Sequence, residues 1–169
     1  MRAVGEGCLL PVRIISGGQT GADRAGLDAA RSRGLLTGGQ APSQYMTERG
    51  PDPSLAQLGL TAGGTTAERT AANVAVADAT VVFMTHASSG SDLTIATASA
   101  LARPFLVIDP WAGNAADLVI VFLRLYQPRV LNVAGHRESV ATGIYARVVE
   151  VLLNVLDTLD VMCVNERHG

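Results

Sequence analysis

The 169-residue chain contains no lysine, and all 13 of its basic residues are arginine. That absence excludes a Schiff-base lysine and the phosphate-binding lysine of a nucleoside-triphosphatase loop. An arginine-only complement is also what a GC-rich genome produces. Aromatics are scarce, 4% against 48% hydrophobic residues. Alanine, glycine and valine must therefore build the interior, which suits layered α/β packing. The two cysteines, Cys8 and Cys163, lie near opposite ends with no C-x-x-C, the pattern of free thiols in a reducing compartment. His86, His136 and His168 are scattered and no carboxylate pair stands at ligand spacing, so no metal site is expected. Net charge is −2 with no arginine run or stripe, which argues against nucleic acid as a partner. The longest apolar run, Leu118 to Tyr126, is broken by Arg124 and too short for a bilayer, and none of signal length precedes Pro11. These absences predict a soluble, cytoplasmic protein with no membrane partner.

What is present is alternation. Short apolar runs predict strands over 12–16, 35–38, 79–85, 105–108 and 129–135. Segments of helical period predict helices over 22–33, 67–77, 92–102, 114–126 and 143–159. Gly34 stands where a C-cap glycine belongs and Asn114 where an N-cap does. The alternation predicts an α/β fold, a parallel sheet of about five strands with helices on both faces. The length suits one domain, with a lead over 1–11, the domain over 12–160 and a loose tail over 161–169. Residues 39–66, with Pro42, Pro51, Pro53 and several glycines, read as a lid or binding loop. The last two helices are more apolar than one buried face requires, which predicts a homo-oligomer, dimer or tetramer.

In such sheets ligands bind beyond the carboxyl ends of the strands. The loops there read GGQTG, HASSGS and GHRES, and each ends at a helix start, where unpaired N–H groups and the helix dipole suit an anion. Ordinary turns and caps use the same residue types. The first loop resembles a dinucleotide fingerprint with Ser16 in the first glycine's place, but no acidic residue closes the second strand. Glu48 would serve only if the long segment folds back. Asp23 falls in a first helical turn, where it complements the dipole or holds a ligand hydroxyl or amine. Arg69, Thr70 and Asn73 share one helix face. Arg69 either meets an anionic group or pairs with Glu68 or Asp78. Tyr45 and Trp111 are the loop aromatics that could stack on a base or simply pack.

The motifs IISGGQTGADRAGLDAA, TGG-x-AP, AERTAANVAVADATVVF, SGSDLT and LNVAGHRES-x-x-x-GIY occur in that order. Together they resemble the putative molybdenum carrier family, a branch of the superfamily that includes the cytokinin phosphoribohydrolases and the lysine decarboxylase-like proteins. The resemblance spans Val12 to Leu156 and implies a modified Rossmann sheet with a pocket for a phosphorylated, nucleotide-like ligand. It implies that Gly17, Gly18, Gln19, Thr20 and Gly21 wrap a phosphate, with Asp23 and Arg24 behind them. It assigns Arg69, Thr70 and Asn73 to the same site, with Ser89, Gly90, Ser91, Asp92 and Thr94 from the third loop and Arg137, Glu138 and Ser139 from the last.

Two departures matter. The phosphoribohydrolases carry GG-x-GT-x-x-E, whereas Thr94 stands here in place of the cleaving Glu, and a threonine hydroxyl is no carboxylate acid or base. His136 replaces a proline of the family and reads as an exposed loop histidine, with a pH-sensitive donor to the site as the alternative. The resemblance thus implies a non-catalytic carrier, sensor or sequestering protein for a molecule such as molybdenum cofactor or an ADP-ribose-type signal, with no cofactor of its own required. The alternative is a nucleotide N-glycosidase or phosphoribohydrolase-like enzyme, with Asp23, Asp92 or Glu138 as its acid.

Overall fold

The structure, a computed structural model, describes residues 9–166; Cys8 and His168 lie outside the described residues. The strands are β1 (Arg13–Ile15), β2 (Leu36–Ala41), β3 (Met46–Thr47), β4 (Gly50–Pro51), β5 (Leu60–Ala62), β6 (Ala79–Phe83), β7 (Phe105–Ile108) and β8 (Val130–Gly135). The helices are α1 (Ala22–Ser32), α2 (Ser54–Gln57), α3 (Thr66–Val76), α4 (Ser89–Ala100), α5 (Ala115–Tyr126) and α6 (Ile144–Glu166). Six strands form one parallel sheet in the order β5-β2-β1-β8-β6-β7, and β3 and β4 pair separately as an antiparallel hairpin. The α/β expectation holds, with one strand more than expected.

The two faces of the sheet differ in chemistry. Helices α1, α5 and α6 pack together on one face over a continuous apolar core that includes Ile14, Val81, Phe83, Leu131 and Val133. On the other face α3 and α4 lie together over a more polar surface. Thr80 and Asn132 are buried in that surface, joined by an Asn132 Nδ2 to Thr80 Oγ1 bond of 3.3 Å. Polar groups kept out of water in this way need a partner, and these have one.

Several boundaries move, each for a physical reason. The glycine pair at 38–39 continues β2 instead of turning, because Gly38 pairs with Ile15 and Gly39 with Leu60. The segment 39–66 is structured: Leu55, Leu58 and Leu60 form a small core with Leu27 and Ala41, which anchors α2 and the edge strand β5. Helix α4 starts three residues earlier than expected, since the Ser88 hydroxyl accepts from Ser91 N–H and caps it. Gly34 follows α1 as foreseen, with Leu35 N–H reaching Ala30 O at 3.0 Å. Asn114 is the α5 N-cap residue but makes no side-chain cap bond. The tail expected from Val161 is helix as far as Glu166, because the buried stripe Leu152, Val155, Leu156 and Leu159 continues to Cys163. Among the described residues no helix is long and apolar enough to cross a membrane.

Candidate functional site

Strands β1, β8 and β6 are neighbours at the centre of the sheet, so the loops that follow them meet at its carboxyl edge. A cavity of about 130 Å3 lies there. Its walls include Gly17 and Gln19 of the first loop, Asp23 in the first turn of α1, Arg69, Thr70 and Asn73 of α3, Gly90 and Thr94 of α4, and Arg137 of the last loop. Residues that are far apart in sequence, and half of those expected in the site, therefore share one cavity.

Two guanidinium groups, Arg69 and Arg137, stand in the cavity wall. Arg69 donates to Gly64 O at 2.5 Å and to Thr66 Oγ1 at 3.3 Å, both neutral acceptors. Its two expected acidic partners are occupied elsewhere. Glu68 forms a capping box with Thr65 at the start of α3, and Asp78 accepts from the Arg129 and Val130 amides. Among the described residues no carboxylate lies within ion-pair distance of Arg69 or Arg137. The first turns of α3 and α4 also face the cavity through Thr66 and Gly90, adding the positive ends of two helix dipoles.

Asp23 supplies the one carboxyl in the wall. Burial pushes it up to about 7, against the opposing pull of the Gln19 amide and the Arg137 charge. The glycine loop leans on this group. Gln19 N–H donates to Asp23 Oδ2 at 3.3 Å, Gly18 N–H to Ser16 Oγ at 3.2 Å and Thr20 N–H to Gln19 Oε1 at 3.1 Å. The amides of the loop thus point inward, and the outward-facing donors of the cavity are guanidinium groups. Gly21 lets the loop close on the last one: its φ is +78°, a Cβ would stand 2.3 Å from His136 O, and Ala22 N–H bonds that oxygen at 3.1 Å.

Other expected residues fall outside this cavity. Arg24 does not back the loop from behind. It pairs with Asp28 at 2.9 Å and Asp52 at 2.7 Å and bonds Ser54 Oγ, fixing α2 to α1 beside a separate cavity of about 520 Å3. Glu138 accepts from the Gly143 and Tyr145 amides at 2.6 and 3.0 Å and so caps α6; it is not paired with Arg137. Ser89 and Asp92 are exposed on α4, and Ser91 is buried against Ser88. Ser139 and Thr20 both bond Glu48, so the long segment does fold back. Asn73 joins α3 to β2 through both Gln40 backbone groups, at 2.8 and 3.2 Å. Of the three candidate acids, then, only Asp23 reaches the cavity.

His136 is the clearest correction. It is 2% exposed, not a surface residue. Its amide bonds Phe83 O, its ring accepts from His86 N–H at 3.4 Å, and the two imidazole centroids are 4.5 Å apart. Burial and the neighbouring imidazole push it below its usual value. Tyr45 packs on the small leucine core and donates to Leu60 O, while Trp111 lies away from the cavity. Asn132 in the cavity floor was missed; an amide inside the apolar run VLNVAG was the signal.

Comparison with known proteins agrees with this architecture. The model of the circularly permutated YpsA SLOG family matches residues 14–156. The crystal structure of a putative molybdenum carrier protein from Syntrophus aciditrophicus SB is similar over 86% of this chain and 94% of that chain, with 34% sequence identity and a TM-score of 0.79. No curated protein matches. Nearly all of the sheet and every wall of the cavity lie within the matched span, and the chain belongs to the circularly permutated YpsA SLOG family.

Proposed function

We propose that the protein is a non-catalytic carrier, sensor or sequestering protein for a phosphorylated, nucleotide-like small molecule. The observation that carries this reading is the pair Arg69 and Arg137, two guanidinium groups in one cavity with no carboxylate within ion-pair distance among the described residues, beside two helix N-termini. A volume of about 130 Å3 suits one phosphoryl group, with the rest of the ligand outside it. The similar structure is of a putative molybdenum carrier, and molybdenum fits this site only inside an anionic species. Among the described residues no cluster of His, Cys, Asp or Glu could hold a metal ion directly. Molybdenum cofactor, held by its phosphate, and ADP-ribose-type molecules are the ligand classes this chemistry favours. The cleaving Glu of the phosphoribohydrolases is Thr94 here, bonded to Gly90 O at 3.2 Å. We place the protein in the cytoplasm as a homo-oligomer. Leu118, Val121 and Leu125 are exposed along α5 and Val161 and Val164 along α6, in support of that assembly.

Native mass spectrometry of protein purified from its own host tests the reading. Retained mass should correspond to a phosphorylated small molecule and be lost in Arg69→Ala and Arg137→Ala. Retention by both variants, or release of free base from a nucleoside monophosphate panel, would overturn it. Gly18 is unsuitable for this test, because a Cβ there would stand 2.8 Å from Leu60 and 3.0 Å from Leu55 and disturb the small core.

A further inference from the structure

Glu48 lies at the turn between β3 and β4 and is exposed, yet both of its carboxylate oxygens are bonded. Oε1 accepts from the Thr20 hydroxyl and from Ser139 N–H at 3.1 Å, and Oε2 accepts from the Ser139 hydroxyl. The Glu48 amide donates to Gln19 Oε1 at 2.9 Å. Thr20 and Ser139 belong to the two loops that rim the Arg69 cavity, and Thr20 Oγ1 also accepts from Glu138 N–H at 3.2 Å. Two hydroxyls and one amide from separate loops thus converge on a single anionic group, the donor set that phosphate oxygens also accept from.

The hairpin that delivers Glu48 is slight, with two residues in each strand, and Met46 remains exposed. A space of about 370 Å3 adjoins the nest, with Glu48, Arg49 and Ser139 in its wall. The last loop links the two spaces: Arg137 lines the first cavity, and Glu138 and Ser139, the next two residues, line the second.

We propose that the Thr20–Ser139 nest is a second anion subsite, which Glu48 fills as an internal stand-in until a ligand with two anionic groups, of the pyrophosphate type, displaces it. The proposal rests on the preceding reading only in placing the first anion between Arg69 and Arg137. A ligand with a single phosphoryl group fills the first cavity and leaves Glu48 in place. One with two linked groups competes with Glu48, so its apparent affinity is reduced by the fraction of molecules in which the nest is closed.

Orthophosphate and pyrophosphate are titrated into 15N-labelled wild-type protein, Glu48→Ala, Glu48→Gln and the double variant Glu48→Ala/Arg69→Ala. Pyrophosphate is expected to bind Glu48→Ala about tenfold tighter than wild type, while orthophosphate affinity at Arg69 changes less than about twofold. Adding Ser139→Ala should abolish the gain. Glu48→Gln keeps the side chain's size and tightens pyrophosphate in the same direction, which guards against misfolding of the alanine variant. Equal or weaker pyrophosphate binding in both Glu48 variants overturns the proposal. So does the absence of pyrophosphate-induced shifts at Ser139 in the double variant. If orthophosphate leaves the Arg69 and Thr70 amides unmoved, the preceding reading fails, and the double variant still decides for or against the nest.

Discussion

The Asp23 carboxyl should make anion binding weaken as pH rises, and Asp23→Asn should remove that dependence. Its value of about 7 leaves it about nine-tenths protonated at pH 6 and about nine-tenths ionised at pH 8. Ionisation places a negative charge in the wall of a cavity of about 130 Å3, the one proposed above to take the anion. Two unit charges about 5 Å apart at an effective dielectric of about 20 repel by about 3 kcal/mol. The flanking Arg137 and salt screening reduce this to about 1.4 kcal/mol, or about tenfold in affinity. Sulfate is the probe, because its own charge is constant over this range. Because a tenth of the molecules remain in the minor form at each end, calorimetric titration should show wild type binding sulfate about fivefold more weakly at pH 8 than at pH 6, and Asp23→Asn binding equally at both. The asparagine amide oxygen can still accept from Gln19 N–H, so the loop is retained. A variant that follows the wild-type profile, or a wild-type affinity that rises with pH, would exclude Asp23 as the titrating group. Stability carries the same sign. A carboxyl whose folded value lies above its ordinary value of 3.8 contributes stability that is complete below about pH 4 and lost as pH rises through about 7. About three pH units would amount to a ceiling of about 4 kcal/mol; solvent access to this half-buried residue lowers that to about 2 kcal/mol. The urea midpoint of wild type should therefore fall between pH 5 and 8, and that of the variant should stay level.

Two further substitutions probe the frame around the site. Gly21→Ala forces a Cβ to within 2.3 Å of His136 O at a φ of +78° and should cost about 2–4 kcal/mol in urea unfolding. Gly143→Ala, with a φ of +87° but open space around it, should cost about 1 kcal/mol; equal losses at the two positions would show that the loop contact is immaterial. Glu138→Gln weakens the charged cap on the Gly143 and Tyr145 amides and should lower stability by about 1 kcal/mol. Amide exchange faster than in wild type at the first turn of α6 would report the loss, and an unchanged first turn would contradict the capping role.

Much of the fold was legible because local pattern and tertiary role coincide. The run at Ala79–Phe83 is buried at every position, as a continuous apolar strand of a two-sided sheet must be. The three loops were recognisable as helix starts, and all three do meet at one edge. The strand β5 was not legible, since three residues among glycines carry no periodicity and their pairing partner lies about twenty residues earlier. His136 was misread for a related reason. A polar residue in a loop motif says nothing about what covers it, and here Phe83 and His86 do.

The chain's own sequence determined the alternation of strands and helices, the exclusion of lysine chemistry, and which residue types could gather around an anion. How those residues divide follows from the packing of distant elements. Among the described residues Arg69 is left unpaired because Glu68 and Asp78 bond elsewhere, and Arg137 because the adjacent Glu138 accepts from the α6 amides, whereas Arg24 is consumed by Asp28 and Asp52. Whether a charged side chain is free depends on what stands within about 4 Å of it. In this protein that neighbour usually comes from a distant element, so no local pattern in the sequence encodes it.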